Sequence, residues 1–277
     1  MAMIAFATNS LLCRAALTQT SIDAASFTFI RMFSGAVALW LIVNLRRTTG
    51  GVCDRRVGNW ISALALFLYA AAFSFAYVGV GAGTGALLLF GEVQATMILW
   101  GLHKGEHLRG VQTVGLIVAL IGLVLLLFPG LSAPPLSGSI LMIGAGVAWG
   151  IYSLRGRREK NPATVTAGNF VRTVPFAAVV SIIFIPWLHL DLAGVTYAII
   201  SGAITSGLGY VIWYSALPSL KAASAATVQL SVPVLAASGG ILLLGEPLTL
   251  RYLLASVAIL GGIALVVLEK TRAHSDL

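Results

Sequence analysis

The chain has 277 residues, of which 58% are hydrophobic and 9% charged, with a formal net charge of +8. Soluble domains carry about 25% charged residues, so a water-soluble globule of this size would lack polar side chains to cover its surface. That excludes soluble enzymes and disordered segments, and it excludes nucleic-acid binding unless the basic residues gather on one face.

A bilayer core needs about 20 apolar residues per helix, and ten runs are predicted, over 2–19, 24–45, 60–79, 83–103, 108–128, 138–154, 163–187, 192–215, 221–243 and 249–268. Turn and charge signals separate them: Arg46-Arg47 to Gly58, the glycines at 79, 81, 83 and 85, Pro129 to Pro135, and Arg155 to Pro162. The runs are continuously apolar with no alternation, which excludes a β-barrel. The first lacks a basic start and holds Arg14, unlike a secretory signal. The reading is an all-α polytopic membrane protein.

The polar and aromatic residues inside these runs are the candidates for chemistry. The first run holds Asn9 and Arg14, and the second Arg31. Tyr69, Phe73 and Tyr77 share one face of the third at i, i+4, i+8. Glu92 lies near the centre of the fourth and is the one acid at such depth; it is read as a proton-coupling site, a ligand for a substrate ammonium, or half of a structural ion pair. Trp149 and Tyr152 are i, i+3 neighbours in the sixth, Arg172 lies deep in the seventh, Tyr210, Trp213 and Tyr214 cluster in the eighth, and Gln229 lies in the ninth. Tyrosine and tryptophan put a polar handle on an apolar body and offer ring faces to cations, which suits a cavity for amphipathic solutes. Arg14 and Arg31 fall in the outer halves of their runs, where long side chains can snorkel, whereas Arg172 could engage a carboxylate bidentately. Asn9 and Gln229 each require hydrogen-bond partners at depth. The dense glycines of the last three runs are expected to let helices approach closely.

Lysine and arginine set the orientation. With the N-terminus inside, the inner loops and C-terminal tail carry thirteen of them, against Arg251 alone outside. The positive-inside rule therefore places both termini in the cytoplasm, in what is expected to be a bacterial inner membrane. The +8 is mostly a topology signal, and no nucleic acid partner is expected. Two motifs are set aside. Gly79 to Gly85 mimics a dinucleotide loop but follows an apolar helix where a strand is required. His103, Glu106 and His107 fit an inverted zinc-peptidase pattern, yet no cofactor or metal is expected, because a second copy of the Gly-Glu pair at Gly245-Glu246 lacks the histidines.

That second copy belongs to a repeat. A shift of 140 residues lays Gly105-Glu106-x-Leu108 on Gly245-Glu246-x-Leu248, and Leu120, Gly122 and Leu125 on Leu260, Gly262 and Leu265. Five runs per half is odd, so the halves, 1–130 and 131–277, would enter the membrane in opposite senses, as in transporters with inverted repeats. The arrangement resembles the drug/metabolite transporter superfamily, specifically its EamA-type ten-helix members. The two halves, the duplicated Gly-Glu-x-Leu motif, Pro233 in the ninth run and the Asn9…Arg14 spacing carry the resemblance; the first half departs from it, with Val93 where Pro233 has its counterpart. The resemblance implies export of amino acids, other metabolites or drugs through a cavity lined by helices 1, 3, 4, 6, 8 and 9. The expected function is secondary export of a small amphipathic solute by alternating access. The alternatives are a transporter or exchanger of an anionic metabolite, favoured by the three arginines, and an intramembrane metalloenzyme at His103, Glu106 and His107.

Overall fold

The computed structural model describes residues 1–47, 58–105, 110–128, 133–156, 159, 161–216 and 228–275, which form helices and their connections with no strand among them. In chain order these are α1 Ala2–Gln19, α2 Ala24–Arg47, α3 Trp60–Tyr77, α4 Ala82–His103, α5 Gly110–Leu127, α6 Leu136–Gly156, α7 Pro162–Ile183, α8 Leu192–Ala216, α9 Ser231–Leu244 and α10 Leu250–Ser275. Eight of them, α2 to α8 and α10, are long and apolar enough to cross a membrane, and α9 is a shorter apolar helix. The protein is a polytopic integral membrane protein.

Helix starts follow local chemistry. The Asp23 carboxylate accepts from the Ser26 amide at the head of α2, Asn59 accepts from Ser62 at the head of α3, and Asp191 accepts from Gly194 at the head of α8. Pro162 opens α7, where its missing N–H costs nothing. The run expected over 163–187 ends instead at Ile183 and continues as one 3₁₀ turn, Ile185–Trp187, because Pro186 cannot donate the next helical bond. The run expected over 221–243 is described as α9 from Ser231 onward; its first part falls among residues 217–227, outside the described residues.

α1 is the axle of the bundle, touching α2, α3, α4, α8 and α9. Its polar residues, Asn9, Ser10 and Arg14, therefore meet protein and not lipid. At the periphery α5 lies along α10, glycine to glycine: a Cβ on Gly115 would stand 2.6 Å from the Gly262 carbonyl, and one on Gly122 would stand 2.7 Å from the Ala258 side chain. Large apolar side chains such as Ile121, Val124 and Val257 cover the outer faces of this pair. Small residues inside and large ones outside are the packing expected where lipid is the solvent.

Candidate functional site

The bundle closes around an aromatic chamber lined by Phe6, Asn9 and Ser10 from α1, Tyr69 and Phe73 from α3, Leu89 and Phe90 from α4, Trp149 from α6 and Tyr210 from α8. Its rings interlock: Trp149 lies 4.9 Å from Tyr69 and 4.8 Å from Tyr210 between centroids, and Phe6 meets Trp149, Tyr210 and Trp213 edge-on at 6.1, 5.8 and 6.2 Å. The space between them is about 10 Å³, room for about one water. A solute the size of an amino acid fits only after the helices part.

A polar layer backs one wall, and a change in helix geometry produces it. Within α8 the segment Ser201–Leu208 winds as a π-helix. The wider turn aligns residues five apart, so Ser201, Thr205 and Ser206 all reach inward. Ser201 and Thr205 donate to Asn9 Oδ1 at 2.7 and 3.1 Å, and Asn9 itself lines the chamber. Ser206 accepts from Arg31 Nε at 3.3 Å. Gly202 makes this approach possible: a Cβ there would strike the Arg31 carbonyl and the Ser34 hydroxyl.

Arg31 is wholly buried. Its Nη2 donates to the Tyr69 hydroxyl at 3.2 Å, and its guanidinium carbon stands 5.4 Å from the Tyr69 centroid and 4.8 Å from that of Phe73, two rings that line the chamber. Nη1 has no hydrogen-bond partner among the described residues, nor does Trp149 Nε1. Snorkelling, the expectation from sequence, does not occur, because α7 and α8 cover α2 along this stretch.

Each end of the chamber is held differently. At the far end from the basic loops, α9 terminates at Gly245, whose left-handed φ of +67° reverses the chain. Glu246 then folds back, accepting from the Ala82 amide with both oxygens, at 3.0 and 2.8 Å, and from Arg14 Nε at 3.1 Å. Arg14 also donates to the Tyr77 and Val78 carbonyls at 2.8 and 3.0 Å. One carboxylate thus caps α4 and clamps α1, the α3–α4 turn and the α9–α10 connection. At the basic end the contacts are neutral or singly charged. Arg155 donates to Ser62 and to Asn59 at 2.9 and 3.2 Å, beside a second hollow lined by Tyr152, Thr166, Asn169 and Tyr214. In the first copy of the motif Gly105, two residues past the end of α4, also has a left-handed φ, +88°; Glu106 and His107 lie outside the described residues.

The structure thus brings five of the residues singled out from sequence, Asn9, Tyr69, Phe73, Trp149 and Tyr210, around one chamber. Tyr77 is buried toward the clamp, donating to the Ala82 carbonyl at 3.3 Å. Tyr152 and Tyr214 belong to the basic-end hollow, and Trp213 packs behind Phe6. Gln229 accepts from Gln94 at 3.5 Å, a bond between helices. Two placements correct the reading. Glu92 faces away, into an apolar groove with Leu116, Leu120 and Leu123 of α5 and Ile259 and Ile263 of α10. It has no ion-pair partner among the described residues. Arg172 is not central: it donates to the Gly168 carbonyl at 2.8 Å and lies 6.0 Å from the Trp60 ring at the basic end. Phe6, Ser10, Phe90 and Arg31 were not singled out as cavity residues. The π segment that aims α8 at Arg31 shows in sequence only as a cluster of serine, threonine and glycine.

A ring of helices around a closed aromatic chamber, with polar groups turned inward at membrane depth, defines the class: a membrane transporter. Residues 136–268 match the model of the EamA-like transporter family. A protein of Pseudomonas aeruginosa described as uncharacterized is 57% identical over 266 residues, 96% of this chain and 92% of its own. The threonine/homoserine exporter RhtA of Escherichia coli is 35% identical over 162 residues, which is 55% of this chain and about half, 53%, of the exporter. A solved structure shares the fold, with a TM-score of 0.66 at 19% identity over 97% of this chain and 98% of that one. The stretch 136–268, just under half of the chain, belongs to the EamA-like transporter family. It is a transporter and not an enzyme, its partners are a small-molecule solute and membrane lipid, and its bacterial relatives point to the inner membrane. The metalloenzyme alternative falls with that membership.

Proposed function

We propose that the protein is a secondary exporter of small amphipathic solutes, amino acids first, built as two inverted five-helix repeats over 1–130 and 131–277 with both termini cytoplasmic. The chamber is the observation that carries this reading: ring faces for an ammonium or an apolar side chain, and the Asn9, Tyr69 and Trp149 donors for a polar end, enclosed at membrane depth. The matching left-handed turns at Gly105 and Gly245 support the repeat. The RhtA relative supports an amino acid as cargo. Alternating access follows from the two unlike ends. The Arg14–Glu246 clamp holds the outer end while the basic end opens to load, and breaking the clamp releases the solute outside.

Uptake of labelled amino acids into proteoliposomes, with and without a pH gradient, tests this. Saturable flux of at least one amino acid is expected. Flux that rises linearly with concentration for the whole panel would overturn it.

A further inference from the structure

We propose that the transported solute carries a carboxylate, and that Arg31, acting with the Tyr69 hydroxyl, is the counter-charge that receives it. The inference rests on the transporter reading above and specifies the chemistry its chamber accepts.

A guanidinium buried at membrane depth is expensive and is normally matched by an anion. Arg31 is not matched. Among the described residues the one ion pair is Arg14 with Glu246, at the far end of the chamber. Arg31 has only hydroxyl partners, Ser206 and Tyr69, and one of its terminal nitrogens has none. Its position follows from the rings it touches: both Tyr69 and Phe73 line the chamber, so the charge stands one side chain behind the wall.

The wall in front of it offers donors and no anion. Tyr69 accepts from Arg31, which leaves its own O–H to point elsewhere. Asn9 has its oxygen taken by Ser201 and Thr205, and Trp149 Nε1 has no acceptor. No aspartate or glutamate lines the chamber, so an ammonium finds ring faces and the neutral Ser10 and Tyr210 hydroxyls there but no counter-charge. A carboxylate finds three N–H or O–H donors and a positive charge behind them. An Arg31 kept for packing alone would gain nothing from such a lining. One kept for a transported anion would be neutralised each time the site loads. The carboxylate can come from a zwitterionic amino acid or from a plain organic acid, and the experiment separates them.

Purified full-length protein is melted in detergent with a panel of L-amino acids, with the matching amino-acid amides, and with acetate and lactate, all at equal ionic strength. Arg31→Met and Arg31→Lys are measured alongside. The expected result is that one or more carboxylates raise the wild-type midpoint and the corresponding amides do not. Arg31→Met should melt no lower than wild type, having lost an uncompensated charge, yet lose the carboxylate shift; Arg31→Lys should keep part of it. In counterflow, the half-saturating concentration of the acid should rise about 10- to 100-fold in Arg31→Met, the loss of one or two charge-assisted hydrogen bonds. An amide that stabilises or competes as well as its acid would overturn the proposal, as would a carboxylate shift retained in Arg31→Met or absent in wild type. If Arg31→Met does not fold, the acid-versus-amide comparison on wild type decides alone. A protein that moves amides and acids alike remains a transporter and refutes only the carboxylate. One stabilised by lactate but by no amino acid keeps the carboxylate and refutes amino-acid export.

Discussion

Arg31 and Glu92 are both ionisable groups set within apolar helices, and they face opposite ways. Arg31 stands behind the chamber wall, hydrogen-bonded to Tyr69 and Ser206. Glu92 looks outward into the apolar groove between α4, α5 and α10. Depth along a helix is set by sequence position, but direction around it is set by neighbours. The polar residues of α4, among them Glu92 and Gln94, form no single stripe along an otherwise apolar helix, so its pattern does not tell which face holds the cavity. On the reading proposed above, charge at depth marks the solute site where protein surrounds it, as at Arg31, and not where it meets an apolar groove, as at Glu92.

Several substitutions would break or sharpen that contrast. The largest effect is expected at Arg31, where the methionine variant should stay folded while the half-saturating concentration of a carboxylate rises about 10- to 100-fold, as described above. Trp149→Phe comes next. It keeps a ring in the interlocked cluster but removes the unpartnered indole N–H, and the half-saturating concentration should rise about fivefold, the worth of one neutral hydrogen bond. Measuring flux against concentration checks it; an unchanged value would remove Trp149 from the donor set.

The third prediction concerns the clamp. Glu246→Gln keeps the shape of the side chain but loses the charge that holds Arg14 and the Ala82 amide at the head of α4. Side-chain exposures of 19% for Arg14 and 18% for Glu246 mean partial screening by solvent. About 2 kcal/mol of stability should be lost, visible as a lower melting midpoint, with added salt weakening wild type toward the variant. A midpoint equal to wild type would show that the capping hydrogen bonds alone hold the end. The smallest effect is expected at Glu92. Glu92→Gln should change flux by less than about twofold and leave its pH dependence intact, because the carboxyl touches neither the chamber nor an ion partner. A lost pH dependence in the same assay would restore it as the coupling group.

Much of the architecture is legible in the sequence because lipid imposes simple rules. The run lengths place α1 to α8 and the start of α10 within a few residues, while α10 runs on to Ser275 and the break before α9 falls where residues 217–227 are not described. The proposed repeat rests on a Gly-Glu pair whose second copy has a physical job: Gly245 reverses the chain so that Glu246 can reach the head of α4. The aromatic residues of the chamber were found by helical spacing, since Tyr69 and Phe73 must share a face. Arg31 stands out in the sequence as a charge at depth, but its place behind the chamber wall does not, because covering by α7 and α8 is a tertiary fact. Tyr152, Tyr214 and Arg172 were grouped with the chamber because spacing along a helix does not separate its middle from its basic end.

Thiol labelling tests the central claim, that the solute occupies the chamber and not the groove, most directly. With Cys13 and Cys53 replaced by alanine, Ser10→Cys puts a thiol in the chamber wall and Glu92→Cys puts one in the groove. Saturating solute should slow alkylation of Ser10→Cys in proteoliposomes several-fold and leave Glu92→Cys unchanged. Protection at position 92 with none at position 10 would contradict the account.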